Sequence, residues 1–298
     1  MESPIPLVSV VIPSARGGLY LREAIRSVQS QTYEAWELIV VMDGCDDDLE
    51  DVVGSDARIT LIQQRRRGAS IARNVALLEA RGDLVALLDD DDRMLPARLD
   101  IQRKIFDDDD VVACHAQYRV IDAEGRCLRT GDSRDSTYRD FLGADSHILS
   151  GTAMFRRRAA WEVGGFNSLL TMGEGQDLLH RLMREGRVEF VPDVLYEYRV
   201  HSSNAWHGTA RGTEETELTI RQHLLFAKGK GDVTTVMLAR RGLATIPPLR
   251  MAKIFSGAQS ARAQRRWVRA VAMVIWAYVN SPIATTRWIG RTLRQEHR

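Results

Sequence analysis

Over its first ninety residues the chain alternates short, β-branched apolar runs with segments whose apolar positions recur every three or four residues. Val8 to Ile12 reads as a buried strand ended by Pro13, and Leu21 to Gln31 places Leu21, Ala24, Ile25 and Val28 on one helical face. Trp36 to Met42 is a second strand that runs into Asp43-Gly44, and Arg58 to Ile62 is a short third. Gly68 to Ala80 has helical spacing, with Gly82 where a C-terminal cap is expected. Leu84 to Leu88 is a fourth strand, and four consecutive aspartates, Asp89 to Asp92, follow it. This order predicts an α/β fold with a mostly parallel central sheet flanked by helices, binding ligands where the strands end.

The pattern is less regular further on. Cys114 to Asp122 and Gly125 to Arg129 read as a hairpin, Gly151 to Arg156 as a strand and Asp177 to Arg184 as a short helix. Val188 to Arg199 reads as a strand pair interrupted by Pro192. Beyond about residue 210 the reading is helical, broken at Pro247-Pro248 and Pro282. The expected division is therefore an α/β domain over 1–205, with halves of about 1–110 and 111–205, and a helical C-terminal appendage over 206–298.

Composition changes this picture in two places. With 44% hydrophobic and 27% charged residues a packed core is available and wholesale disorder is excluded. The formal charge of +1 conceals a split: residues 237–298 hold twelve Lys/Arg against one acid, Glu296, leaving 29 basic and 39 acidic residues ahead of them. An acidic body argues against nucleic acid as a partner. In the basic tail, Trp267, Val271, Val274, Ile275 and Tyr278 recur at helical spacing beside Arg265, Arg266 and Arg269. Two readings stay open there: a helix lying on an anionic membrane surface, or a helix packed against protein; the apolar run is too short to span a bilayer. Cys45, Cys114 and Cys127 lack metal-like spacing and read as thiols, and the opening MESPIPLVSVVIPS has no basic leader region. A cytoplasmic location is expected, peripheral on the inner face of the membrane under the first of these two readings of the tail.

The sharpest chemical signal is Asp89 to Asp92, at the point where an apolar strand gives way to a loop before Pro96. Carboxylates converging there repel one another, and a hard cation such as Mn2+ or Mg2+ relieves the repulsion while bridging diphosphate oxygens. The plain alternative is a solvated acidic turn. Asp107 to Asp110, with no apolar strand before it, reads as such a turn. Asp43 ends another strand, and in a parallel sheet it faces the same crevice as Asp89 to Asp91.

Seven blocks, in order, resemble family 2 glycosyltransferases: VSVVIPS, the LREAIRSVQSQTYEAWELIVVMDG stretch, RGASIARNVALLEARGDLVALLDDDD with RMLPARL, SGTAMFRR, GGFN, GEGQDLLHRL and YRVH. The resemblance covers roughly residues 7–204. It implies the GT-A nucleotide-diphospho-sugar transferase fold and inverting transfer from a nucleotide-diphosphate sugar, with a UDP-sugar the expected donor. It also implies a saccharide or lipid-linked acceptor and a role in cell-surface polysaccharide or glycolipid synthesis. Carried over by position, Pro13, Asp43, Arg73, Asp89 and Asp90 are expected on the donor side. Asp89, Asp91 and His201 are expected at a Mn2+ or Mg2+ ion, Asp89 and Asp91 being the outer members of the D-x-D element.

Two positions depart from the family pattern. Ala15-Arg16 replaces the usual Tyr-Asn, removing an aromatic from the expected nucleobase pocket. The usual general base, the Asp after the first Glu of an Glu-Asp-x-Asp run, is Gly175 in Glu174-Gly175-Gln176-Asp177. Either Glu174 or Asp177 takes the role, with Glu174 preferred for its reach. The rival expectations are a sugar nucleotidyltransferase, for which Pro13 to Gly18 is a faint phosphate loop, and a non-catalytic donor-binding relative, motivated by Gly175.

Overall fold

The computed structural model describes residues 6–142, 148–201, 210–244 and 246. The amphipathic stretch from Trp267 to Tyr278, and with it most of the basic tail, lies outside the described residues. Two compact units are present, Met1–Tyr138 with Ser146–Ser203, and Arg139–Asp145 with Asn204–Arg298.

The elements of the chain are β1 (Val8–Ser14), α1 (Gly18–Gln29), β2 (Trp36–Asp43), α2 (Glu50–Val53), β3 (Ile59–Gln64), α3 (Ala69–Glu79), β4 (Leu84–Leu87) and β5 (Arg93–Met94). There follow α4 (Arg98–Arg103), β6 (Val111–Ile121), β7 (Cys127–Thr130), α5 (Tyr138–Leu142), β8 (Met154–Arg156), α6 (Arg157–Glu162), α7 (Glu174–Leu182), β9 (Arg187–Arg199) and α8 (Ala210–Lys230). Residues 233–244 are also helical. One sheet runs β3-β2-β1-β4-β8-β6-β9-β5, with β7 paired to β6. Strands β1 to β4 are parallel to one another, whereas β8 joins β4 and β6 antiparallel and β9 returns parallel to β6.

Both faces of the parallel half are covered, which is why its strands are continuous apolar runs rather than alternating ones. Val8, Val10 and Ile12 pack with Leu21, Ala24, Ile25 and Val28 of α1. Val11, Ile39 and Val41 pack on the opposite face with Ala72, Ala76 and Leu77 of α3 and Leu178, Leu179 and Leu182 of α7. Each large side chain buried in this way contributes about 1.5–3 kcal/mol.

Three expectations are corrected. Gly82 does not cap α3: the helix ends at Ala80 in extended backbone, and glycine is needed because a Cβ at 82 would lie 2.6 Å from the Leu7 carbonyl and 2.8 Å from the Ser9 nitrogen. Val188 to Arg199 is not a strand pair but part of the single strand β9. Its register with β6 passes from Ala116 opposite Val191 to Gln117 opposite Val194, so Pro192 and Asp193 bulge out and the missing proline N–H breaks no ladder bond. The helix expected from Asp177 starts at Glu174, because Gly173 adopts φ 72° and turns the chain into α7. Among the described residues no helix is long and apolar enough to cross a membrane.

Candidate active site

The carboxyl ends of β1, β2 and β4 lie on one edge of the sheet, where an open α/β sheet binds its ligands. At the end of β1, Pro13 lies beyond the pairing with β4, so its missing N–H costs no bond on that side. The next residue, Ser14, donates its hydroxyl to Asp90 Oδ2 at 2.6 Å and accepts from the Gly17 nitrogen at 3.1 Å. At the end of β2, Asp43 is buried and accepts from Gln64 Nε2 (2.7 Å), the Arg67 nitrogen (2.7 Å) and the Gly68 nitrogen (2.8 Å). It therefore shapes the loop between β3 and α3. An ionised carboxylate has about four acceptor positions, so capacity remains for a ligand donor.

The aspartate run divides into different roles. Burial, reinforced by neighbouring carboxylates, pushes both Asp90 and Asp91 up to about 6. The Asp91 carboxylate meets His201 Nε2 at 3.0 Å and Arg16, from the loop after β1, at 3.6 Å. The Asp89 carboxylate is held instead by Arg73 of α3. Asp92 is fully buried and accepts from Tyr196 Oη and from the Arg199 nitrogen, each at 2.7 Å. By contrast Asp108, in the second run, is exposed and pairs with Arg187 on the surface.

Arg73 links the two halves of the site. Its buried guanidinium is shared between Asp89 and Glu174, the first residue of α7. Burial works against its charge, but the carboxylates of Glu174 and Asp89 outweigh it and raise its pKa. Asp177, one turn on, is buried and gives its carboxylate to Arg181 in a two-pronged contact at 2.9 and 2.6 Å. The neighbouring Asn74 holds the GGFN segment, donating to the Phe166 carbonyl and accepting from the Phe166 nitrogen, both at 2.8 Å. Gly175 is close-packed: a Cβ there would lie 2.7 Å from Ser150 Cβ.

The structure thus brings together Ser14, Arg73, Asp89, Asp90, Asp91, Glu174 and His201 through named contacts, places Pro13 and Asp43 on the same edge, and turns Asp177 to Arg181. Ser14, Tyr196 and Arg199 were given no role of their own in the sequence, and Asp92 stood there only as the last member of the acidic run. The fourth aspartate of the run was the one visible signal, and nothing in the sequence names its partners on β9.

The donor set fits a hard divalent cation. Asp90 and Asp91 are half-buried carboxylates that repel one another, with raised pKa values, and Asp91 lies beside the His201 imidazole; Mg2+-like ions ordinarily take only one or two carboxylates, filling their shells with water and substrate phosphate. Among the described residues no group of three or more His, Cys, Asp and Glu side chains is arranged to hold a metal ion, so an ion here would draw most of its shell from water and substrate. Asp91 and His201 would be its protein ligands, with Asp89 in the same loop.

A parallel βα half whose strand ends carry Asp43 and Asp89 to Asp91, joined to a mixed half that carries Glu174 and His201, defines a GT-A glycosyltransferase fold. The family model "Glycosyl transferase family 2" matches residues 9–164. The chain belongs to that family. It is 32% identical over 129 residues to an uncharacterized glycosyltransferase of Rickettsia bellii (strain RML369-C), covering 42% of this chain and 19% of that one. It is 27% identical over 205 residues to the chondroitin synthase of Escherichia coli, covering 67% of this chain and 30% of the relative. The chain therefore spans less than a third of the length of either relative. In structure it is similar to S. aureus TarS 1-349 in complex with UDP-GlcNAc, with a TM-score of 0.61 at 17% identity over 90% of this chain and 80% of that one.

Proposed function

We propose that the protein is an inverting transferase that moves a sugar from a uridine diphosphate donor to a saccharide acceptor, with Glu174 as the general base. One observation carries the reading: the Arg73 guanidinium is shared by Glu174 and Asp89, which sets the candidate base and the donor-side carboxylate on either side of one group. Asp177 is already committed to Arg181. The UDP-GlcNAc bound by TarS supports the donor class, and the chondroitin synthase likeness supports polysaccharide synthesis. The basic tail supports association with the cytoplasmic face of an anionic membrane.

In this reading the acceptor oxygen attacks the anomeric carbon from the face opposite the diphosphate. Glu174 takes the hydroxyl proton as the new C–O bond forms and the bond to the diphosphate oxygen breaks. Arg73 orients the Glu174 carboxylate through a charge-assisted contact. Asp43 holds the β3–α3 loop against the nucleobase end, and Ser14 fixes Asp90. A divalent cation at Asp91 and His201 would supply charge neutralisation of the leaving nucleoside diphosphate.

The test is a pair of isosteric changes. Glu174→Gln lowers turnover by about a hundredfold or more with donor affinity little changed, as loss of a general base does. Asp177→Asn acts on stability first, because it weakens the Arg181 contact. Full turnover in Glu174→Gln, or loss of turnover in a well-folded Asp177→Asn, reverses the assignment.

A further inference from the structure

Strand β9 ends on the aspartate loop at several points. The loop lies between β4 and β5, and β5 pairs antiparallel with β9, setting Arg93 opposite Glu197 and Met94 opposite Tyr196. Beside this ladder, the Asp89 nitrogen donates to Tyr196 Oη at 3.3 Å, and Tyr196 Oη donates to Asp92 Oδ2 at 2.7 Å. The second oxygen of Asp92 accepts the Arg199 nitrogen at 2.7 Å, and Arg199 Nε donates to the Asp91 carbonyl at 2.9 Å. The far side of the Arg199 guanidinium is fixed by Glu23 and by the Ala123 carbonyl at 2.9 Å. Two residues beyond Arg199, His201 reaches Asp91 Oδ2 at 3.0 Å.

Asp92 and Tyr196 have no solvent exposure, and Arg199 is 1% exposed, so these side chains lie beneath the cleft rather than in it. A carboxylate so deeply buried is tolerated when its oxygens are hydrogen-bonded, and both are, one to β9 backbone and one to a β9 side chain. The space under the phenol is also fixed: a Cβ at residue 151 would collide with Tyr196 Oη, so only glycine fits there. The backbone of Asp89, the carboxylate of Asp92 and the approach to His201 are therefore set by one connected network.

Resting on the reading that Asp91 and His201 face the donor diphosphate, we propose that Tyr196 and Asp92 are positioning residues. Their hydrogen-bonded pair latches the end of β9 to the aspartate loop and thereby sets the distance between Asp91 and His201 for a divalent cation. Partners that orient ligand side chains in this way usually change metal affinity by ten- to a hundredfold when removed.

The experiment measures Mn2+ binding in the presence of UDP by electron paramagnetic resonance, reading free Mn2+ for affinity and the bound line shape for site order, with thermal unfolding recorded alongside. Tyr196→Phe, which loses both hydroxyl contacts but keeps the ring, should bind Mn2+ on the order of tenfold more weakly, with a broadened bound signal. Asp92→Asn, which keeps an acceptor for the Arg199 nitrogen, should weaken binding in the same direction and serves if the phenylalanine variant does not fold. Asp91→Ala is the control for the underlying reading: unchanged Mn2+ affinity in that variant means the cation site itself is wrongly placed. Loss of binding in Asp91→Ala with wild-type affinity and line shape in Tyr196→Phe or a folded Asp92→Asn overturns the latch alone.

Discussion

Replacing Gly175 by alanine, and then by the aspartate that the family usually carries, asks whether the displaced base reflects packing. A Cβ at 175 would stand 2.7 Å from Ser150 Cβ, 2.9 Å from Ser150 Oγ and 3.6 Å from Leu87 Cδ1. Ser150 opens a tight turn whose next residue, Gly151, abuts Tyr196, so the backbone at 150 has little room to withdraw. Overpacking of this kind costs about 1–3 kcal/mol. A helical residue other than glycine recovers at most about 1 kcal/mol, and less in the first turn. Gly175→Ala should therefore lose about 1–2 kcal/mol and Gly175→Asp more, since its carboxylate is also buried. At about 2–4 °C per kcal/mol for a domain of this size, the alanine variant melts about 2–8 °C lower by circular dichroism. Ser150→Gly removes the obstructing Cβ, and the Ser150→Gly/Gly175→Ala pair should lose less than the sum of its single changes. Transfer activity should not rise in Gly175→Asp. An alanine variant as stable as the parent, or strictly additive effects in the pair, refutes the packing argument.

Two further outcomes follow from buried polar groups. Asp43→Asn offers one acceptor oxygen where three donors converge, so it should lose about 1–3 kcal/mol in urea unfolding and weaken donor binding with it; unchanged stability and binding would show that the loop is held by other means. His115 in β6 is fully buried, and burial pushes its pKa from 6.5 down to about 4, so between these values the unfolded chain binds a proton that the folded chain does not. Stability should accordingly fall as pH drops from about 6.5 to about 4, by up to about 3 kcal/mol from this residue; His115→Leu should flatten that part of the pH profile, and parallel profiles for parent and variant would remove the case.

The parallel half was legible because its chemistry sits where local pattern and topology agree. Leu84 to Leu88 was expected as a strand and Leu84–Leu87 is one, and the acids that follow β2 and β4 share an edge because parallel strands end together. What the sequence withheld were pairings across long separations. Nothing near Arg73 indicates that one guanidinium will serve both Asp89 and Glu174, which lies 101 residues away. The link between Asp92 and Tyr196 spans 104 residues and depends on a strand whose register is shifted by a bulge. The start of α7 lies three residues ahead of the expected Asp177, because Gly173 supplies a left-handed turn into the helix and Gly175 supplies room against Ser150.

The most direct test of the donor site is a calorimetric titration of UDP-GlcNAc into the protein with Mn2+ and again with a chelator, for the parent chain and for Asp91→Asn. The account predicts saturable binding by the parent with Mn2+, weakened at least about tenfold when the ion is removed or Asp91 is changed. Equal affinity in all four titrations would contradict it.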